Sequence, residues 1–531
     1  MSNKPVYLKQ NVLVEPLFNQ WYAWSYLMPP VQAALYITNS HLKIMKSFVD
    51  SPQLHINALK NPAMMGGPFI RYDASRVNEI KTLLNRTLDD QHSLIELAEA
   101  IKSLQKILAT EATGFSLEPL YQKVPEPLKG YVEMVYDMNN TASIRFIEGL
   151  LYKSPYYNRS WQSFDLSLIN RDDRSFVYST PRLSDDGHMC VEAPFDHEGV
   201  DELFEMKSVP KPLEHIKEML NIRGNDSLFS SFFTEEAPAV TERYDGDGVR
   251  VRYFGHACLL IESNETSIIT DPLVSYKFDT GIYRHTYADL PEKIDYAVIT
   301  HNHQDHCMFE TLLQLRHKIG TVVVSKSNGG SLADPSLKLI LQSIGFRNVV
   351  EIDEMETLDI EGGSIMGLPF LGEHADLNVR TKLAYLITLK GKSVLCAADS
   401  NNIEPKLYEN MKDYVKATDA VFLGMECDGA PLTWLYGPIL DKPLVRKMDQ
   451  SRRLDGSDFA KAIKMVEQLN PSQVYVYAMG QEPWLTYLTS IQYTEQSRPI
   501  IESNKLIEAC RSRGIASERL FGHKDIFLRL S

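Results

Sequence analysis

Residues 298–307 read Val-Ile-Thr-His-Asn-His-Gln-Asp-His-Cys, which places four potential metal ligands, His301, His303, Asp305 and His306, close together. The preceding residues 294–300 are rich in β-branched and aromatic side chains and predict a buried strand. A loop at the end of such a strand holds its side chains at a sheet edge, where functional groups usually lie. A polar loop with incidental histidines is disfavoured, because the whole chain contains only 14 histidines. The stretch therefore predicts a metalloenzyme.

Length and composition narrow the class of protein. The chain has 531 residues, which exceeds the usual size of one domain and predicts at least two. A net charge of −14 argues against a nucleic-acid partner, because binding phosphates requires a basic surface. No signal peptide and no apolar run of membrane-spanning length is evident, so we expect no membrane association. Six scattered cysteines without a CxxC pair favour reduced thiols and a cytoplasmic location. Cys307 follows His306 directly, but neighbours on a short loop rarely all reach one metal, so no ligand role is expected for it.

The pattern along the chain predicts two parts. Up to about residue 155 the sequence reads as mostly helical, with apolar residues at helical spacing over 76–110 and 128–151, and with Pro29-Pro30 opening another helix. Residues 234–248 are acidic and rich in Gly and Pro, so we place the domain boundary there. The predicted domains are residues 1–245 and 246–531.

Short strands with interspersed helices characterise the second part and predict an architecture that mixes both. Before the boundary, residues 164–169 and 175–179 also have strand character. After it, the predicted strands are 249–254, 258–262, 267–270, 321–325, 364–370, 384–389, 393–397, 420–423 and 473–478, and a helix is predicted at 458–469.

The second part resembles the metallo-β-lactamase superfamily. The motifs that carry the resemblance are Gly255-His256-Ala257, Asp271-Pro272, the His301–His306 cluster, Gly372-Glu373-His374 and an apolar strand that ends in Asp399. The resemblance implies an αββα sandwich with two metal ions at the mouth between the sheets. It implies that His301 and His303 hold one metal, that Asp305 and His306 hold the other, and that Asp399 bridges them.

The residue chemistry supports a metal-ligand role for Asp399. It leaves open whether Glu373 or His374 is the ligand. A carboxylate directly after the apolar run 394–398 is costly to bury unless it is paired or metal-bound; the alternative is a turn aspartate that caps the following asparagines. Adjacent residues on an extended segment point to opposite sides, so we expect one of the pair to reach the metal. Glu373 would give a carboxylate-rich site typical of O₂-activating iron, whereas His374 would give a histidine-rich site that suits zinc hydrolysis. The residues alone leave both open.

The whole chain resembles the CmlA-type diiron β-hydroxylases of antibiotic biosynthesis. The N-terminal likeness lies in residues 11–17, 21–24, 30–34 and 61–67. This resemblance implies a non-haem diiron monooxygenase that uses O₂ to hydroxylate the β-carbon of an aminoacyl group tethered to a carrier (thiolation) domain of a nonribosomal peptide synthetase. It also implies two oxo- or hydroxo-bridged irons, electrons from an external donor such as a reductase, and a homodimer formed largely through the N-terminal domain. The implied metal ligands are His301, His303, Asp305, His306, Glu373 and Asp399.

The expected fold class is α+β, with a C-terminal αββα metallo-β-lactamase sandwich preceded by a separate, largely helical α+β N-terminal domain. The alternative function is a dinuclear zinc hydrolase that cleaves a thioester, lactone or phosphodiester, with His374 in place of Glu373. The complete ligand set disfavours a non-catalytic remnant.

Several other residues have two interpretations each. His256 either orients a metal ligand through a hydrogen bond or is a turn histidine. His523 is a loop residue or a last histidine ligand. Trp434 and Tyr436 are simple packing or line a substrate pocket. Residues 442–453 form the densest basic stretch, which is a solvated helix face or a docking surface for an acidic carrier domain.

Overall fold

The computed structural model describes residues 4–224, 226–239, 241–415 and 418–530. The strands of the first half are β1 (Pro5–Leu8), β2 (Val12–Phe18), β3 (Trp21–Tyr22), β4 (Val132–Tyr136), β5 (Ala142–Phe146), β6 (Gln162–Leu168), β7 (Met189–Val191), β8 (Lys211–Pro212) and β9 (Phe233–Thr234). Its α-helices are α1 (Pro30–Tyr36), α2 (Leu42–Asp50), α3 (Pro52–Ala58), α4 (Val77–Asp90), α5 (His92–Glu111), α6 (Glu148–Leu151), α7 (Glu198–Glu205), α8 (Leu213–Met219) and α9 (Asp226–Ser231).

The first half is less helical than its sequence predicts. The helices expected at 76–110 and after Pro29 are present as α4, α5 and α1. The helix predicted over 128–151 is wrong, because β4 and β5 form an antiparallel hairpin there before the short helix α6. Its turn is closed by Asn140, whose positive φ of 59° suits asparagine better than most residues. The strand predicted at 175–179 is also wrong, since these residues are irregular.

The second half contains fourteen strands and nine α-helices within its described residues. The strands are β10 (Val249–Gly255), β11 (Cys258–Glu262), β12 (Ser267–Thr270), β13 (Ile294–Val298), β14 (Ile319–Ser325), β15 (Val349–Ile352), β16 (Thr357–Ile360), β17 (Gly363–Leu368), β18 (Ala384–Leu389), β19 (Lys392–Cys396), β20 (Ala420–Gly424), β21 (Gln473–Tyr477), β22 (Ala516–Arg519) and β23 (Lys524–Leu528). The helices are α10 (Phe309–Leu315), α11 (Leu337–Ser343), α12 (Lys406–Asn410), α13 (Lys412–Val415), α14 (Leu432–Tyr436), α15 (Arg446–Ser451), α16 (Phe459–Leu469), α17 (Thr486–Thr489) and α18 (Arg498–Ser512).

Two seven-stranded sheets form the sandwich predicted for this half. Their strand orders are β15-β14-β13-β12-β11-β10-β23 and β16-β17-β18-β19-β20-β21-β22. The layer between the sheets combines buried side chains of both, such as Ile261 and Val298 with Tyr385 and Phe422. Helices α16 and α18 cover the outer face of the second sheet. The predicted α+β class and αββα sandwich are confirmed.

The first sheet is buried on both faces, which explains its continuous apolar runs. Side chains alternate along each strand, so Leu259 and Ile261 point into the sandwich while Leu260 points outward. On the outer side, Leu260 and Ile269 share one apolar cluster with α10, α11 and the N-terminal aromatic residues Trp21 and Tyr26. The N-terminal half is thus packed onto the sheet that carries the His301–His306 loop.

The chain connects the two halves without regular structure. No helix or strand lies between β9 and β10 in the residues described there, 235–239 and 241–248. The domain boundary near residue 245 stays a prediction. Among the described residues, no helix has the length and apolar character needed to cross a membrane.

Candidate metal centre

Strand ends gather the candidate ligands at one edge of the sandwich. Strands β12 and β13 are parallel, so the residues that follow them, Asp271 and the His301–His306 loop, meet at the same sheet edge. Asp399 follows β19, and Glu373 follows β17, both in the second sheet. The loop that the sequence placed after a buried strand therefore faces the carboxylates of the opposite sheet.

The six predicted ligands converge in overlapping groups of three residues. Within each group, the candidate ligand atoms lie within 4.8 Å of one another. The first group is His301, His303 and Glu373, and the second is His301, His306 and Asp399. In the first group, His303 Nδ1 lies 2.7 Å from Glu373 Oε1. In the second, His306 Nε2 lies 3.0 Å from Asp399 Oδ2. Asp305 joins His306 in a third group with His256.

Two donor atoms that face the centre lack hydrogen-bond partners within the protein. His301 Nε2 and Asp399 Oδ1 are buried without a hydrogen bond among the described residues. Buried polar atoms without a partner are costly and rare in folded proteins. Metal coordination would satisfy them, and nitrogen with carboxylate oxygen is a donor set that suits iron. The residues therefore fit a pair of metal ions.

Glu373 and His374 lie on a tight turn, so the expected extended segment is wrong. Gly372, Glu373, Ala375 and Asp376 all have positive φ angles, between 51° and 73°. The turn brings Glu373 into the group with His301 and His303. The His374 ring instead stacks on the His303 ring, with centroids 4.4 Å apart, and its Nδ1 lies 2.9 Å from Glu373 Oε2. His374 thus braces Glu373 and His303 from the side.

Tyr436 contacts the centre through His303. Its hydroxyl lies 3.0 Å from His303 Nε2, while His303 Nδ1 faces Glu373. A hydrogen bond at one ring nitrogen sets which nitrogen is free for a metal. When Nε2 of His303 carries the proton and donates to Tyr436, Nδ1 keeps its lone pair on the side of Glu373. Tyr436 is fully buried, whereas Trp434 is only half-buried and donates from its ring to the Gly66 carbonyl instead.

His256 is placed to orient Asp305. The backbone N–H of Gly480 donates to His256 Nδ1 over 3.2 Å. In a neutral imidazole the proton is then on Nε2, which lies 3.1 Å from Asp305 Oδ2 and can donate to it. A protonated Nε2 has no lone pair for a metal. Of the two interpretations of His256, the geometry favours the ligand-orienting one.

Asp271 is a functional residue for which the sequence suggested no role. It is fully buried after β12 and accepts hydrogen bonds from the backbone N–H and hydroxyl of Thr300, both over 2.7 Å. Its Oδ2 also lies 2.8 Å from His306 Nδ1. This fixes the loop start and leaves Nε2 of His306 facing Asp399. The signal in the sequence was the Asp271-Pro272 motif at a strand end, which carried a resemblance but no stated role.

We expect the Asp271→Asn variant to bind metal about 10- to 100-fold more weakly while staying folded, as is usual when a partner of a metal-binding histidine is changed. An amide nitrogen facing His306 Nδ1 would favour the tautomer with the proton on Nε2, which cannot coordinate. Metal titration of the purified variants measures the effect. Asp295→Asn is the matched control, because Asp295 accepts comparable hydrogen bonds from Ser267 at the opposite end of β13. Equal metal affinity in both variants would contradict this role.

The centre has a mixed electrostatic environment. Burial and the neighbouring imidazole of His306 hold the pKa of His301 well below its usual value. Burial would also lower the pKa of His306, but the carboxylates of Asp399, Asp271 and Asp305 outweigh it and raise that pKa well above its usual value. Desolvation and the charge of Asp399 raise the pKa of Glu426 well above its usual value.

The remaining candidates lie away from the centre. His523 is exposed and packs against Tyr283, with ring centroids 4.4 Å apart, so it is not a ligand. Cys307 is buried but belongs to none of the potential metal-binding groups in the described chain. In the basic stretch, Arg452 donates to the Ala375 carbonyl and Arg453 pairs with Asp428. These two arginines therefore contribute to interactions within the protein.

Comparison with known proteins covers nearly the whole chain. Residues 7–238 match the family described as the diiron non-heme β-hydroxylase N-terminal domain, and residues 250–412 match a β-lactamase superfamily domain. The 4-amino-L-phenylalanyl-CmlP-peptidyl-carrier-protein 3-hydroxylase of Streptomyces venezuelae is 40% identical over 523 residues, which cover 97% of this chain and 98% of the relative. The chain belongs to the diiron β-hydroxylase family.

Solved structures agree with the assignment of this chain to the diiron β-hydroxylase family. The crystal structure of CmlA, a diiron β-hydroxylase from Streptomyces venezuelae, matches with a TM-score of 0.93 at 38% identity, covering 99% of this chain and 100% of that one. A mutant of the CmlA β-hydroxylase matches with a TM-score of 0.91, also at 38% identity, covering 98% of this chain and 100% of that one. The predicted family, enzyme class and diiron chemistry are confirmed. The alternative of a zinc hydrolase is not favoured.

Proposed function

We propose that this β-hydroxylase acts on the β-carbon of an aminoacyl group held as a thioester on a carrier domain of a nonribosomal peptide synthetase. The Streptomyces venezuelae relative, matched over 97% of this chain, is named for such an aminoacyl carrier-protein substrate. The proposal includes O₂ as co-substrate and a separate reductase as electron donor, as the family resemblance implies.

We further propose that His301, His303, Asp305, His306, Glu373 and Asp399 hold the two irons. The observation that carries this is the convergence of their donor atoms at one sheet edge, two of them buried without a hydrogen bond among the described residues. His301, His303 and Glu373 would hold one iron, and Asp305 and His306 the other, with Asp399 between them. Three histidines and three carboxylates form the carboxylate-rich set expected for iron that reacts with O₂.

In this proposal the protein supplies orientation and exclusion of water. When bound, the two irons supply the oxidising chemistry, which belongs to the metal rather than to the side chains. Tyr436 holds Nδ1 of His303 toward Glu373, and the Nε2–H of His256 donates a hydrogen bond to Asp305. Asp271 orients His306. Burial of His301, His303 and His306 keeps bulk water away from the centre.

The test uses the holoenzyme isolated from iron-supplemented cells. We expect iron in place of zinc by metal analysis, and a gain of one oxygen atom in the intact mass of a 4-aminophenylalanyl-loaded peptidyl carrier domain after incubation with O₂ and a reductase. Carrier domains loaded with other amino acids identify the preferred side chain, and the free amino acid is the control. Stoichiometric zinc together with thioester cleavage would refute the proposal and favour the hydrolase.

We also propose that the enzyme is a cytoplasmic homodimer that pairs largely through its N-terminal half. In support, several large apolar side chains are exposed there, including Leu54 (56%), Phe115 (81%) and Met138 (98%). Reduced cysteines fit the cytoplasm. Sedimentation of the full chain at several concentrations gives the oligomeric state, and a monomer at all concentrations would contradict the dimer.

A further inference from the structure

A large cleft opens at the surface between the N-terminal half and part of the second half. Its volume is about 1620 Å³, and its walls come from α5, the β4–β5 hairpin, residues 328–333 and residues 437–444. Tyr436 lies in its lining and also contacts His303 Nε2 over 3.0 Å. Because Tyr436 is fully buried, its side chain separates the cleft from a proposed iron ligand.

The size of this cleft indicates a macromolecular occupant. Sites for small molecules usually enclose about 300–1,000 Å³ and are mostly apolar. This cleft is larger, open to the surface, and lined by many polar side chains such as Asn39, Gln105 and Thr433. A free amino acid would leave most of it filled with water.

The charge of the cleft is opposite to that of the chain as a whole. Five cationic residues and one acidic residue line it, whereas the chain carries a net charge of −14. The cations are Lys43, Lys102, Lys106, Arg145 and Lys442, and the acid is Asp441. Lys43 and Lys106 are exposed, and neither forms an ion pair among the described residues. Their charges are thus available to an anionic partner.

We propose that this cleft is the docking site of the carrier domain, with the acidic surface of that domain on the lysine-lined rim and its phosphopantetheine arm lying in the cleft toward Tyr436. This inference rests on the proposed function. Complementary charge steers association and fixes orientation, and lysine pairs with the phosphate of the arm. Three residues of the basic stretch 442–453 line the cleft, Lys442, Pro443 and Leu444, and Lys442 supplies the charge.

The test compares two doubly charge-reversed holoenzymes with the same net charge. The cleft variant carries Lys43→Glu and Lys106→Glu. The control carries Lys81→Glu and Lys464→Glu, at exposed lysines outside the cleft. We measure the Kd for a holo carrier domain, and the KM for the 4-aminophenylalanyl-loaded carrier and for 4-aminophenylalanyl-pantetheine, a thioester that lacks both carrier and phosphate.

We expect the cleft variant to raise the Kd and the KM for the loaded carrier about tenfold, with a weaker salt dependence, because rim charges control association. The KM for the pantetheine thioester and the iron content should stay as in wild type. The control variant should match wild type throughout. Carrier affinity that is unchanged in the cleft variant, or lowered equally in both variants, would overturn the docking site and leave the proposed function standing. A wild-type enzyme that hydroxylates no carrier-bound aminoacyl group would overturn both.

Discussion

Replacing Glu373 with alanine is expected to remove one of the two irons and to lower the rate of hydroxylation by more than about 100-fold, the upper range seen when residues that support metal ligands are lost. In the folded chain Glu373 Oε1 lies 2.7 Å from His303 Nδ1, and Glu373 Oε2 lies 2.9 Å from His374 Nδ1. The variant would leave His301 and His303 as the remaining members of their group. Metal analysis and the intact mass of the carrier-bound product measure the two effects separately.

His374→Ala is the matched control for this experiment, because it removes the neighbouring side chain on the same turn. His374 Nδ1 contacts Glu373 Oε2, and its ring stacks on His303, but His374 is absent from each of the ligand groups found among the described residues. We expect this variant to retain both irons and to lose about tenfold in rate through weaker positioning of Glu373. The reverse pattern, with metal lost from His374→Ala and kept in Glu373→Ala, would support a histidine-rich centre.

Arg174→Ala is expected to destabilise the whole protein by about 3–5 kcal/mol, because it removes one partner from a buried network of charges. Arg174 pairs with Glu15 of β2 and, over 2.7 Å, with Glu310 of α10. Tyr22 and Tyr276 also donate to Glu310, over 3.0 and 2.8 Å. Since α10 follows the His301–His306 loop directly, we expect hydroxylation to fall as well. Urea unfolding measures the free-energy change.

Arg513→Ala serves as the control, because its ion pair with Glu467 is exposed and is expected to contribute less than about 1 kcal/mol. The pH dependence gives a second readout. Burial would raise the pKa of Glu15, but Arg182 and Arg174 outweigh it and lower that pKa. Glu15 therefore contributes stability above its ordinary pKa, and this stability is lost as the pH falls through the lower pKa of the folded state. In Arg174→Ala we expect the loss to begin at higher pH. Equal costs for both arginine variants would contradict a stabilising network.

Much of the sandwich could be predicted because its strands are apolar runs ended by polar residues or glycine. The predicted strands 258–262, 267–270 and 384–389 coincide with the observed β11, β12 and β18. The β4–β5 hairpin was missed because its apolar residues also fit a helical spacing, and the deciding element is a short turn at Asn140. The strand predicted at 175–179 is absent, although its residues favour strands. These residues form an irregular segment in which Tyr178 packs against Tyr22 and Trp24.

The candidate ligands could be predicted from spacing and residue type, because they lie in short motifs at strand ends. The groups that position them could not, since each depends on contacts between distant parts of the chain. Tyr436 reaches His303 from a separate helix, and the N–H of Gly480 determines the proton position on His256. Asp271 orients His306 only because β12 and β13 are parallel neighbours.

The apolar cluster shared by the two halves limits how this enzyme could be divided or recombined. A fragment of residues 246–531 would expose the outward-facing Leu260 and Ile269, together with the apolar side of α10, to water. Such a fragment is expected to aggregate even though the proposed ligands and both sheets belong to it. For the same reason, chimaeras that exchange N-terminal halves between relatives would need matching residues on the outer sheet face. The two halves are therefore expected to have diverged together.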